Sequence, residues 1–122
     1  ANLTSATLRS ANLTGVILTN AILNHADVRR STMTGAKLDG ASLREAALSH
    51  TDLRRASLAG TDLSGASLYG VNLSNSDLRW ADLSDANLAG AMLEKTRFGS
   101  NQGLTREMVS DLRRRGAMFE HW

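Results

Sequence analysis

The chain holds 122 residues, 42% hydrophobic but only 4% aromatic, with no Cys and no Pro, and its 14 Lys and Arg face 12 Asp and Glu for a formal charge of +2. This excludes a disulfide framework, a thiolate metal site and a Cys nucleophile. It also excludes a membrane-spanning helix, which needs a run of about 18 apolar residues, and the charge balance makes composition a weak pointer to nucleic acid. No charged-then-apolar leader is present; the chain opens on Ala1 rather than Met, which leaves room for a removed leader or a longer N-terminal part.

From Ala1 to Ser100 the sequence divides into 20 consecutive pentapeptides without an insertion. The third position is Leu in 17 of them, with Val28, Met33 and Phe98 in the others; the first is Ala in 13 and otherwise Ser, Thr or Val. The second is Asn, Asp, Ser or Thr in 14. A five-residue period cannot be helical: at about 100° per residue each Leu would sit about 140° from the last and no stripe would form. It cannot be one straight strand either, because an odd period sends alternate repeats to opposite faces. Both conflicts vanish if the chain turns a corner after each repeat. Each pentapeptide is then a short extended side with its first and third residues inward, and four corners close a square coil of about 20 residues.

The repeats ANLTS, ANLTG, TDLSG, ADLSD and ANLAG are similar to the consensus A(D/N)LXX of the pentapeptide-repeat family, a resemblance that covers about four-fifths of the chain. It implies an all-β solenoid, a right-handed quadrilateral β-helix, here of about five coils stacked to about 24 Å. The handedness is carried by the resemblance alone. The inward ladders start at Leu3, Leu8, Leu13 and Leu18 and recur every 20 residues. Ser31, Thr51, Thr61, Ser76 and Thr96 also face inward, so their hydroxyls are expected to bond to backbone. Gly or Asn in fifth position suits a type II corner. Ser5, His25, Arg30, Glu45, His50, Arg55 and Trp80 do not, and type I or irregular corners are expected there.

At Asn101 the period changes, so 1–100 reads as the solenoid and 101–122 as a short C-terminal helical cap and tail. Thr105 fits an N-cap, Leu104 and Val109 a hydrophobic staple, and Leu104, Met108 and Leu112 share a helix face. Arg113, Arg114 and Arg115 sit where the helix dipole favours cations, and Gly116 suits the stop. Ala117, Met118 and Phe119 could then help cover the last coil. The stretch GLTREMVSDLRRRGAMF resembles the tail of cyanobacterial and chloroplast-lumen members of the family.

Candidate chemistry is sparse. His25 and His50 fall on neighbouring corners of adjacent coils, with His121 in the tail, but two His without a third ligand make a poor zinc site. Asp62 and Asp82 stack on side one, yet second-position residues form a polar outer wall without a cleft to desolvate an acid. No nucleotide fingerprint, P-loop or triad pattern occurs. Neither a cofactor nor a small-molecule substrate is expected. Arg29, Arg30, Arg54 and Arg55 gather around the second and third coils, bordered by Arg9, Arg44, His25 and His50, with Asp27, Glu45 and Asp52 interspersed. This is a candidate protein-binding patch. Ile17 and Ile22 point outward near the first coil, a candidate self-association surface for a monomer or weak dimer.

The expectation is a non-enzymatic structural or protein-interaction module. The resemblance offers an alternative, since some family members mimic duplex DNA and inhibit gyrase. That mimicry needs an acidic column, whereas residues 1–100 carry ten basic and nine acidic side chains. Direct nucleic-acid binding is disfavoured by the interleaved acids and scarce aromatics. The compartment reads as cytoplasm or, if a leader was removed, thylakoid lumen or periplasm.

Overall fold

The structure, a computed structural model, describes residues 1–120; His121 lies outside the described residues. Through the repeats, each second-position residue pairs in parallel with the residue 20 further on, from Asn2↔Ile22 to Asp82↔Gln102. The chain therefore winds as a solenoid with four sides per turn.

Each rung is built from three backbone bonds in fixed pattern. Asp27 N–H donates upward to the Ala6 carbonyl, Leu8 N–H donates down to the Asp27 carbonyl, and Ser10 N–H donates down to the Arg29 carbonyl. Because the second, third and fifth residues of a repeat give their amide protons to this ladder, Pro would break it at those positions. First and third positions face the interior, where Leu23, Leu43, Leu63 and Leu83 stack on one side with Ala filling between them, all at most 1% exposed. Ala and Leu suffice, with few aromatics, because the interior is only one residue deep from each wall. The inward hydroxyls bond as expected: Ser31 and Thr51 both donate to the Val28 carbonyl, at 2.8 and 2.7 Å, Thr61 to Leu58, and Ser76 and Thr96 to Leu73.

The corners differ from the sequence expectation. From Leu3 to Thr96, the first residue of every repeat donates its N–H to the third-position carbonyl of the repeat before it, as in Ala6 to Leu3 at 3.0 Å. Every fifth residue lies in the left-handed region, including His25, Arg30 and Arg55 at φ of 60°, 60° and 59° and Trp80 at 63°. With the positive φ confined to the residue before the bonded N–H, these are type II turns throughout. Ser5, His25, Arg30, Glu45, His50, Arg55 and Trp80 thus do not adopt type I or irregular corners. The ladder favours this corner: it keeps the fifth-position N–H on a carbonyl of the next coil, at a left-handed strain of about 1–2 kcal/mol. The fifth side chain lies along the column and crowds the corner of the next coil. His50 stands where a Cβ on Gly70 would approach its ring to 2.7 Å, so a side chain there would have to displace the imidazole.

Beyond Ser100 the ladder continues for a time. Asn101 takes an inward first position, donating from Nδ2 to the Leu78 and Ala81 carbonyls at 2.7 and 3.0 Å and accepting from Gly99 N–H at 2.8 Å. Gln102 pairs below Asp82. Gly103, at φ +86°, replaces the inward Leu, because a Cβ there would collide with the Ser84 backbone. Strand β1 (Arg97–Gly99), helix α1 (Arg106–Arg114) and strand β2 (Met118–Glu120) are the regular elements of this end among the described residues, with β2 parallel to β1. Thr105 caps α1 by accepting from Met108 N–H at 3.2 Å, as its sequence position implied. The buried face of α1 runs through Val109 and Leu112, while Leu104 and Met108 are half-buried. Phe119 stacks on Phe98 with ring centres 5.0 Å apart and planes at 14°, whereas Met118 is exposed and donates its N–H to the Thr96 carbonyl.

Candidate docking site

An N–H in fourth position points out of the corner and has no place in the ladder. The second-position side chain supplies its acceptor: Thr4 N–H donates to Asn2 Oδ1 at 3.1 Å, and Ser84 N–H to Asp82 Oδ1 at 3.0 Å. This Asx-type bond is why Asp or Asn recurs there. Where the second residue is Asp and the fourth is Arg, the guanidinium folds onto the same carboxylate, as at Asp27, Asp52 and Asp77.

That local rule divides the four predicted arginines into two kinds. Arg29 donates Nε and Nη2 to the two Asp27 oxygens at 2.8 and 2.9 Å, and Arg54 grips Asp52 in the same way at 2.9 and 2.7 Å. The Arg29 hydrogen bonds hold the Asp27 carboxyl down at about 2, and the Arg54 hydrogen bonds likewise lower Asp52. These guanidiniums are largely neutralised. Arg30 and Arg55, one residue further on, occupy exposed corners, and among the described residues the side chain of neither makes a hydrogen bond or ion pair. Of the four charges that the sequence groups, only those of Arg30 and Arg55 are therefore free of an internal acid. Arg9 lies 3.5 Å from Asp27 and Arg44 lies 3.7 Å from Asp62, so the bordering arginines lean on acids too.

The motif has a third copy, which the five-residue period alone does not reveal. Asp27-Val-Arg29-Arg30, Asp52-Leu-Arg54-Arg55 and Asp77-Leu-Arg79-Trp80 recur 25 residues apart, one coil plus one side, so they climb the solenoid diagonally. Counting a 25-residue spacing beside the five-residue one would have found it. In the third copy Trp80 replaces the free arginine. Arg79 grips Asp77 at 2.9 and 2.7 Å, reaches Glu120 at 3.5 Å and lies 5.1 Å from the Trp80 ring. This copy ties β2 to the wall.

The remaining candidates part company. His25 lies 3.5 Å from Glu45, and His50 meets the Tyr69 ring edge-on at 5.5 Å, so each turns to its own neighbour. Among the described residues no group of three or more His, Cys, Asp or Glu could hold a metal. Asp62 and Asp82 pair along side one, but each accepts from its own turn, Ser64 and Ser84. The Ser84 hydrogen bonds lower the Asp82 carboxyl, the opposite of what a general acid requires. Ile17 is 71% exposed on side four and Ile22 40% exposed on side one, with their backbones paired to Lys37 and Ser42. Among the described residues, no helix is long and apolar enough to cross a membrane.

The family model for pentapeptide repeats matches residues 1–35, 36–75 and 63–99. Similar solved structures include a pentapeptide repeat protein from Nostoc Pcc 7120, 28% identical over 93% of this chain and 84% of its own, with a TM-score of 0.60. Another is a pentapeptide repeat protein from the Arabidopsis thaliana thylakoid lumen, 26% identical over 90% of this chain and 81% of its own, with a TM-score of 0.55. QnrB1, a plasmid-mediated fluoroquinolone resistance protein, aligns at 20% identity over 90% of this chain and 67% of its own, with a TM-score of 0.46. No curated protein sequence matches the chain.

Proposed function

This chain belongs to the pentapeptide-repeat family and folds as a right-handed β-helical solenoid, and from that premise we propose that it is a non-enzymatic docking module for an acidic protein surface. The observation that carries this reading is the pair of unpartnered corner arginines, Arg30 and Arg55, set on a rigid wall beside two arginines already held by Asp27 and Asp52. Solvated cations on a held backbone that no internal acid satisfies steer and orient an anionic partner rather than stabilise the fold. The frame we assign to them has five coils over residues 1–100, with the segment from Asn101 closing the last one. Gyrase inhibition by DNA mimicry ranks below this, because ten basic side chains offset nine acidic ones in the repeats.

The test is affinity capture with the wild-type chain and the Arg30→Glu/Arg55→Glu variant side by side. Proteins that bind the wild type, elute with salt and fail to bind the variant support the reading. A retained set unchanged by the double charge reversal overturns it.

A further inference from the structure

The lower edge of the coil formed by residues 81–100 is met differently on its four sides. On side one Leu83 N–H donates to the Gln102 carbonyl, on side three Lys95 N–H donates to the Gly116 carbonyl, and on side four β2 pairs with β1. On side two helix α1 crosses instead, and among the described residues the edge is hydrogen-bonded from below only by the Arg115 side chain, to the Leu88 and Ala91 carbonyls at 2.6 and 3.0 Å. One coil higher, Leu68 N–H reaches the Asn87 carbonyl, Gly70 N–H the Ala89 carbonyl, and the Ala66 carbonyl accepts from Asn87 N–H. The equivalent groups, Leu88 N–H, Gly90 N–H and the Ala86 carbonyl, have no hydrogen-bond partner among the described residues. They are one complete rung, two donors and an acceptor, left open.

A groove of about 330 Å³ lies at this edge, lined by Ala86, Leu88 and Ala89 above and Met108 and Leu112 below. Its rim carries Glu107, Asp111 and Arg115. Arg115 is engaged by Asp111 at 3.2 Å as well as by the carbonyls, while Glu107 has no ion pair among the described residues. The uncommitted charge at the groove is therefore negative.

We propose that this open rung is a strand-addition site, which takes an extended basic–apolar–basic segment of a partner protein as the missing sixth rung of side two. An unpaired edge of this kind is a template for a further strand. In the register of the rungs above, the segment's first residue would donate to the Ala86 carbonyl and accept from Leu88 N–H, and its third would accept from Gly90 N–H. Its middle side chain would then point inward onto Met108 and Leu112, which calls for an apolar residue. Its outward residues would pass the Glu107 rim, which calls for Lys or Arg. The groove lies within the size range of formed ligand sites. This inference shares the docking-module reading, but it uses neither Arg30 nor Arg55, so each site stands or falls by its own test.

The experiment is amide hydrogen exchange by NMR on the full ¹⁵N-labelled chain, alone and with the capped peptide Gly-Ser-Lys-Leu-Lys-Ser-Gly. In the free chain the Leu88 and Gly90 amides should exchange about a hundredfold faster than those of Leu68 and Gly70, which are bonded. The peptide should slow Leu88 and Gly90 by about tenfold or more at saturation. Glu107→Lys should abolish that gain, and a peptide with Glu in place of Lys should give none. Equal protection of Leu88 and Leu68 in the free chain would overturn the proposal, as would no slowing with the lysine peptide or equal slowing by both peptides. Protection that rises with protein concentration alone would also overturn it, by assigning the edge to a second copy.

Discussion

A residue with a Cβ held at a left-handed corner costs about 1–2 kcal/mol that glycine avoids, and the ladder imposes that corner on residues as unlike as Lys95 and Trp80. Lys95→Gly should therefore stabilise the fold by about 0.5–1 kcal/mol after the extra entropy glycine loses on folding, and so raise the thermal midpoint. Lys95 contributes its backbone N–H, which glycine keeps, so a lower midpoint would contradict the strain argument. The carboxylates give a second residue-scale expectation. Asp27, Asp52, Asp77 and Asp82 are all lowered, the first three chiefly by hydrogen bonds from an Arg and Asp82 by those from Ser84. A depressed carboxyl adds stability that is complete above its unfolded value of about 3.9 and is lost as pH falls through its folded value. Melting temperature should thus fall as pH drops from about 4 towards the value of about 2 at Asp27, and Asp27→Asn should flatten part of that slope. Circular dichroism melts across that window test it, and a midpoint independent of pH there would count against the pairing. The sequence showed that Asp and Asn belong in second position. It did not show why, because the need arises from a fourth-position N–H that only a closed corner leaves without a ladder partner.

At the scale of elements, periodicity sufficed where one residue pattern met one physical need. The sides, the inward Leu ladders, the Thr105 cap and the Gly116 stop, at φ +100°, were all legible. The tail was only partly so, since its period breaks where its contacts become long-range. Asn101 and Gln102 continue side one, and Val109 rather than Met108 takes the deeper place on α1. Gly103 marks the place where the chain leaves the repeat. Gly103→Ala would force a Cβ against the Ser84 backbone in a left-handed conformation, and should cost at least about 2 kcal/mol. Denaturant unfolding of the variant measures this directly; a cost below about 0.5 kcal/mol would mean that the crossover carries no strain.

At the scale of the molecule, each coil rests only on its neighbours, so a defect in mid-column is not shared out. Leu53 is fully buried, and Leu53→Ala should cost about 2–5 kcal/mol and broaden the calorimetric transition as the two halves uncouple. A narrow, unshifted transition would contradict that. The same stiffness gives the arginine pair its meaning, because corners on a rigid column hold Arg30 and Arg55 at fixed positions while Asp27 and Asp52 occupy the arginines beside them. Sequence alone grouped all four, since the distinction lies in which side chain can reach a carboxylate two residues back. The direct measurement is the salt-dependent affinity of the full chain for a fluorescent polyglutamate probe, comparing Arg30→Gln/Arg55→Gln with Arg29→Gln/Arg54→Gln. Both variants lose the same charge. The expected result is a loss of about tenfold or more for the first pair and under about threefold for the second. Equal losses, or a larger loss for Arg29 and Arg54, would contradict docking through the free corners.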